Sequence, residues 1–147
     1  MTESENEKII EKLFEDMNRH DDLEAVFSHY SDDITGVLPS GTIIDKEEMR
    51  RRRPIGFMAA SPDLKFRIDR MVSQSDTVWV EYTATGTHKG ALFGIPATNK
   101  KFEYQSVFIY DFEAGKVKRY KCYFSMLRFL KQIQEKAVSE LWDKMRK

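Results

Sequence analysis

Four runs, LKFRIDRMV (64–72), TVWVEYTATGTH (77–88), KKFEYQSVFIYDF (100–112) and KVKRYKCYF (116–124), alternate apolar and polar side chains with a period of two. That period belongs to strands that bury one face and wet the other. Turn residues separate the runs: Ser75 and Asp76, then Gly94 to Asn99, then Ala114 and Gly115. Long alternating runs joined by turns predict an antiparallel meander.

Upstream of the meander the spacing is helical. Ser4 followed three residues later by Glu7 reads as a capping box, and Ile9, Ile10, Leu13, Phe14 and Met17 then share one face. His20, Asp21 and Asp22 break this helix, and Leu23, Val26, Phe27 and Tyr30 mark a second, short one with Asp21 or Asp22 as its cap. Asp32 to Leu38 reads as a strand, Pro39-Ser40-Gly41 as its turn and Thr42 to Ile44 as the return. Asp45 with Glu48 caps a third helix carrying Met49, Ile55, Phe57 and Met58, which Pro54 is expected to kink or divide before Ser61 and Pro62 end it.

From Met126 helical spacing returns, with Leu127, Leu130, Ile133, Ala137, Val138, Leu141, Trp142 and Met145 on one face. Helices grouped ahead of a long antiparallel sheet predict an α+β layer architecture. A strongly curved sheet then wraps the helices and leaves a cavity for a small molecule. No linker, repeat or low-complexity segment divides residues 1–147, so one domain is expected.

The 24 basic and 24 acidic side chains cancel, which removes the broad positive field of a protein that neutralises nucleic-acid phosphates. No partner of that kind is expected. Cys122 is the single cysteine, so no intrachain disulfide or thiolate cluster can form, and a reducing, cytoplasmic setting is the expectation. The polar start of the chain lacks the apolar segment of a signal peptide, and no run approaches the roughly 18 apolar residues that span a bilayer. The isolated His20 and His29 share no helix face with a second histidine and a carboxylate, so no metal site is predicted.

The order of elements coincides with a string of short motifs. It comprises Pro62-Asp63-Leu64, Gly86-Thr87-His88-Lys89-Gly90, Gly94-Ile95-Pro96-Ala97-Thr98, Phe112 to Val117 with Gly115-Lys116, and Leu127, Leu130 and Gln132. In that order the string resembles the SnoaL-like polyketide cyclases, also called predicted ester cyclases, of the nuclear transport factor 2-like superfamily. The resemblance covers residues 5–133 and implies a cystatin-like α+β cone. It also implies cofactor-free acid/base chemistry on an apolar carbonyl compound and, by the habit of the fold, a homodimer formed through the outer face of the sheet. Residues 134–147 extend the terminal helix past the family's usual end, and Leu141, Trp142 and Met145 are expected to pack on this chain or on a second copy.

Counted from Gly115-Lys116, the family's tryptophan falls on Lys121 and its acid/base aspartate on Ser125. A serine hydroxyl has no pKa near neutrality and cannot replace a tuned carboxylate. The base of the related ketosteroid isomerases corresponds to Leu38, so that chemistry is missing its carboxylate too. The resemblance turns Lys121, Tyr123 and Ser125 toward the cavity, and with His88 these form the candidate catalytic set. Lys121 would be a desolvated amine or a solvent-facing lysine paired with a neighbouring strand carboxylate, and Tyr123 a hydrogen-bond donor or a packing residue. Ser125 would orient a ligand or cap the following helix. His88 would titrate near neutrality or be held structurally.

Phe14, Phe57, Trp79, Glu81 and Phe108 are the candidate ligand-binding residues. The aromatic members either line an apolar pocket or fill a core, and Glu81 is either a cavity base or the partner of Lys65, Arg67 or Lys121. The Arg50 to Arg53 run reads as a solvated helix face, with a phosphate or a partner's carboxylate as its other use. Cys122 falls on the face with Tyr120 and Phe124 and reads as a buried, inert thiol. A small-molecule enzyme is one outcome; a binding or dimerisation module that kept the pocket and lost the carboxylate is the other.

Overall fold

The computed structural model describes residues 2–52, 57–134, 139 and 143–147. Helix α1 (Glu3–Arg19) starts one residue pair earlier than expected. Thr2 accepts the N–H of Glu5 and the Glu5 carboxylate accepts the N–H of Thr2, so this pair, and not Ser4 with Glu7, forms the capping box. Glu7 instead accepts the Ser73 hydroxyl at 2.5 Å and ties α1 to the sheet. His20 closes the helix in the left-handed region at φ 64°. Asp22 caps α2 (Leu23–Phe27) by accepting the Ala25 N–H.

Strands β1 (Tyr30–Val37) and β2 (Ile43–Asp45) form the expected hairpin. Asp45 accepts the Glu48 N–H at the start of α3 (Lys46–Arg52), and α4 (Phe57–Ala60) precedes the meander. Ile55 and the kink expected at Pro54 lie outside the described residues. The meander is β3 (Lys65–Gln74), β4 (Thr77–Thr87), β5 (Lys101–Glu113) and β6 (Lys116–Phe124), each antiparallel to the next. The sheet runs β2-β1-β6-β5-β4-β3, and β1 joins it parallel to β6, a pairing the periodicity does not reveal. Main-chain and lysine hydrogen bonds reinforce this seam: Val117 N donates to His29 O, and Lys116 Nζ donates to Ser28 O.

Register decides which side chains are inside. Along β4 Val78, Val80, Tyr82 and Ala84 are buried, as is His88 just past its end, and Tyr110, Phe108, Ser106 and Tyr104 of β5 stand opposite the first four in that order. Register shifts at Ile68/Arg70 and Asp111/Phe112 bend the sheet and carry the apolar row past an extra residue. On β6 the inner row becomes Val117, Tyr120, Cys122 and Phe124. Ile10, Leu13, Phe14 and Met17 of α1 fill the concavity from the other side, each burial contributing roughly 1.5–3 kcal/mol.

Helix α5 (Met126–Ile133) buries Phe129 and Ile133 against β5. Ala137, Val138, Leu141 and Trp142, expected to continue its apolar face, lie outside the described residues, and Met145 is 65% exposed. Of the arginine run, Arg50 pairs with Glu24 and lies over the Phe27 ring, while Arg51 and Arg52 pair with Glu48. These three carry the solvated-face reading; Arg53 is outside the described residues. No helix among the described residues is long and apolar enough to cross a membrane.

Candidate functional site

Two groups of rings stand between sheet and helices. In the first, Tyr82 stacks on Phe108 with centroids 5.3 Å apart and meets Phe14 edge-on at 5.4 Å. In the second, Phe57 packs on Phe129 at 5.1 Å, on Tyr104 at 5.9 Å and on Phe124 at 6.3 Å, and touches Phe93 at 5.7 Å. Phe14 belongs to the core cluster, and Phe57 and Phe108 pack against it.

Between the two groups the inner face carries its polar atoms. Ser106 donates to Tyr123 O at 3.1 Å and lies 3.5 Å from Cys122 Sγ, with the Tyr82 phenol beside both. Burial pushes the Tyr82, Tyr104 and Tyr110 phenols and the Cys122 thiol upward, so all four are unionised at neutral pH. This cluster is legible in principle from the even positions of β4 and β5, but the family motifs draw attention away from it.

Trp79, Glu81, Lys121 and Tyr123 do converge, on the opposite face. Pairing places Val72, Trp79, Ile109 and Lys121 in one cross-strand row and Arg70, Glu81, Val107 and Tyr123 in the next. Trp79 and Tyr123 are each 53% exposed. The expectation that these four line the cavity is corrected here. The aromatic row Tyr120, Cys122 and Phe124 is the one that meets the core, and alternation sends its neighbours outward. Glu81 pairs with Arg70 at 3.5 Å, not with Lys65, Arg67 or Lys121.

Ser125 is exposed and accepts the Arg128 N–H at 3.2 Å, making it the N-cap of α5. His88 is 1% exposed, on the inner row. Its Nδ1 accepts the Thr98 N–H at 3.3 Å and lies 2.9 Å from the Thr98 hydroxyl. Of the candidate catalytic set, His88 alone has its ring buried with the core.

Elsewhere, Asp63 accepts from the Thr87 N–H, the Thr87 hydroxyl and the Ser61 hydroxyl. Those bonds, the Thr87 hydroxyl first, bring its carboxyl down to about 2. The buried Asp16 carboxylate lies 2.7 Å from the half-buried His29 ring; burial pushes Asp16 up, but His29 and Lys12 together hold it below the usual carboxylate range. No group of three or more metal-ligating side chains occurs among the described residues.

A helix-filled cone with this strand order defines an α+β protein of the nuclear transport factor 2-like kind. The chain belongs to the SnoaL-like polyketide cyclase family, whose model matches residues 8–133. Three solved structures show the shared fold. AclR from Streptomyces galilaeus superposes with a TM-score of 0.82 at 23% identity, over 99% of this chain and 94% of that one. IdmH from Streptomyces antibioticus gives 0.77 at 24% identity, over 86% and 96%. TsrD from Streptomyces laurentii gives 0.77 at 20% identity, over 91% and 98%. No curated protein matches the chain.

Proposed function

We propose that this chain is a small-molecule-binding member of the family that holds an apolar or aromatic compound against the inner face of the sheet and does not carry out the family's carboxylate chemistry. Ser125 supports this reading: counted from Gly115-Lys116 it falls where the resemblance expects the aspartate, and it caps α5, while the inner face carries unionised phenols, a thiol, a hydroxyl and the His88 ring among the described residues. Entry would pass between α4 and the loop after β4, where Phe57 meets Phe93 and Phe93 is largely exposed. The reading calls for no cofactor. The single buried cysteine fits a reducing cytoplasm, and the apolar outer rows through Trp79 and Tyr123 fit a homodimer.

The competing reading is a cofactor-free acid/base enzyme acting on an apolar carbonyl compound. It has to place proton transfer on His88 or the buried phenols, because Lys121, Tyr123 and Glu81 face outward. Calorimetric titration with 2-acetonaphthone, followed by mass spectrometry of the recovered ligand, separates the two. Saturable binding with the ligand unchanged is expected. Conversion of the ligand would establish the enzyme reading instead, and absence of saturation would leave the outer-face dimerisation module.

A further inference from the structure

We infer that His88 is the hydrogen-bond donor that receives an oxygen acceptor of the bound molecule, so that the preferred ligand is an apolar ring compound with a carbonyl or ether oxygen. This deepens the binding reading above and rests on it.

The argument starts from Thr98. A backbone N–H can only donate, and the Thr98 N–H donates to His88 Nδ1 at 3.3 Å. The Thr98 hydroxyl, 2.9 Å from the same nitrogen, itself accepts the Lys100 N–H at 3.4 Å and so has its hydrogen free for Nδ1. Nδ1 is thereby an acceptor, and the ring hydrogen sits on Nε2. The main chain holds the ring's place as well: His88 N donates to Lys100 O, Asn99 N donates to His88 O, and Lys89 and Gly90 donate to Ala60 O at the end of α4.

Nε2–H is thus a fixed, neutral donor, and among the described residues it is buried with no acceptor. Buried polar groups are almost always partnered, and an unpartnered one is costly enough to demand a reason. A ligand oxygen supplies it. The same tautomer denies His88 the role of general base, because Nδ1 is engaged and Nε2 already carries its hydrogen.

The test uses two probes of nearly equal shape, 2-acetonaphthone and 2-isopropylnaphthalene, on the full chain. Leaving water is harder for the ketone, so a purely apolar pocket favours the hydrocarbon. We expect the ketone to bind at least as tightly, and imidazole nitrogen–proton correlation spectra to show the His88 Nε2–H shifting with the ketone only. His88→Phe should weaken the ketone about tenfold and leave the hydrocarbon within a factor of about two. His88→Gln, which keeps an acceptor for Thr98 and a donor beyond it, should restore most of the difference and guards against a folding defect in the first variant. A hydrocarbon preference in the unmodified chain with an unmoved Nε2–H overturns the role of His88 while leaving the binding reading intact. Failure of both probes to bind overturns the binding reading and this inference with it.

Discussion

Ser125 Oγ accepts the N–H of Arg128 at 3.2 Å, so its hydroxyl closes the first turn of α5. Loss of an N-cap hydroxyl typically costs about 1 kcal/mol. Ser125→Ala should lower stability by roughly that amount in urea unfolding, whereas Ser125→Asp, itself a good cap, should stay within a few tenths of the unmodified chain. If alanine is silent, the serine is not retained as a cap, and a ligand role for its hydroxyl becomes the better account.

The contrast between Ser125 and Lys121 shows what was legible in the sequence. Period, turns and caps place the meander, the first hairpin and α5, because each depends on neighbours within a few residues. The parallel seam of β1 with β6 depends on residues 84 to 87 positions apart, and nothing local marks it. Faces were harder still. Lys121 and Tyr123 alternate with Tyr120, Cys122 and Phe124, but alternation alone leaves open which of the two rows faces inward. Burial of the aromatic row against Phe57, Phe108 and Tyr110 settles the direction, and a charged amine follows the opposite one.

Gly86 shows why its motif has no side chain at that position. A Cβ there would stand 2.3 Å from Ser61 Oγ and 2.8 Å from the Phe102 ring. Gly86→Ala must displace the serine that hydrogen-bonds both Asp63 and the Thr87 N–H, or shift a buried ring. A loss of about 1–3 kcal/mol is expected in urea unfolding. An unchanged midpoint would mean that the 61–64 turn gives way at no cost.

Asp63 couples the same turn to pH. Its carboxyl titrates at about 2 in the folded chain against 3.8 ordinarily. A lowered folded value stabilises above the ordinary pKa and is lost as pH falls from there through about 2. Urea midpoints measured across this window should fall less steeply for Asp63→Asn than for the unmodified chain. The variant should also lose about 1 kcal/mol at neutral pH, a modest figure because the carboxylate is exposed. Parallel curves would assign the acid sensitivity to Asp16 or Asp69, which are also held low.

Trp79 and Tyr123 bear on assembly. The two rows through Val72, Trp79 and Ile109 and through Val107 and Tyr123 set apolar surface on the outer face of β3 to β6, with Arg70, Glu81 and Lys121 at their ends. Val72 is 60% exposed and Trp79 53%, which is costly for a sheet face left in water. A second copy docked two-fold on this face would bury both rows against themselves. Sedimentation equilibrium should therefore find a dimer, and Trp79→Arg combined with Tyr123→Arg should find a monomer with an unchanged far-ultraviolet spectrum. Since the inner face lies on the other side of the sheet, the monomer should bind 2-acetonaphthone as the dimer does. A loss of binding on dissociation would mean that the sheet keeps its curvature only when its outer face is covered.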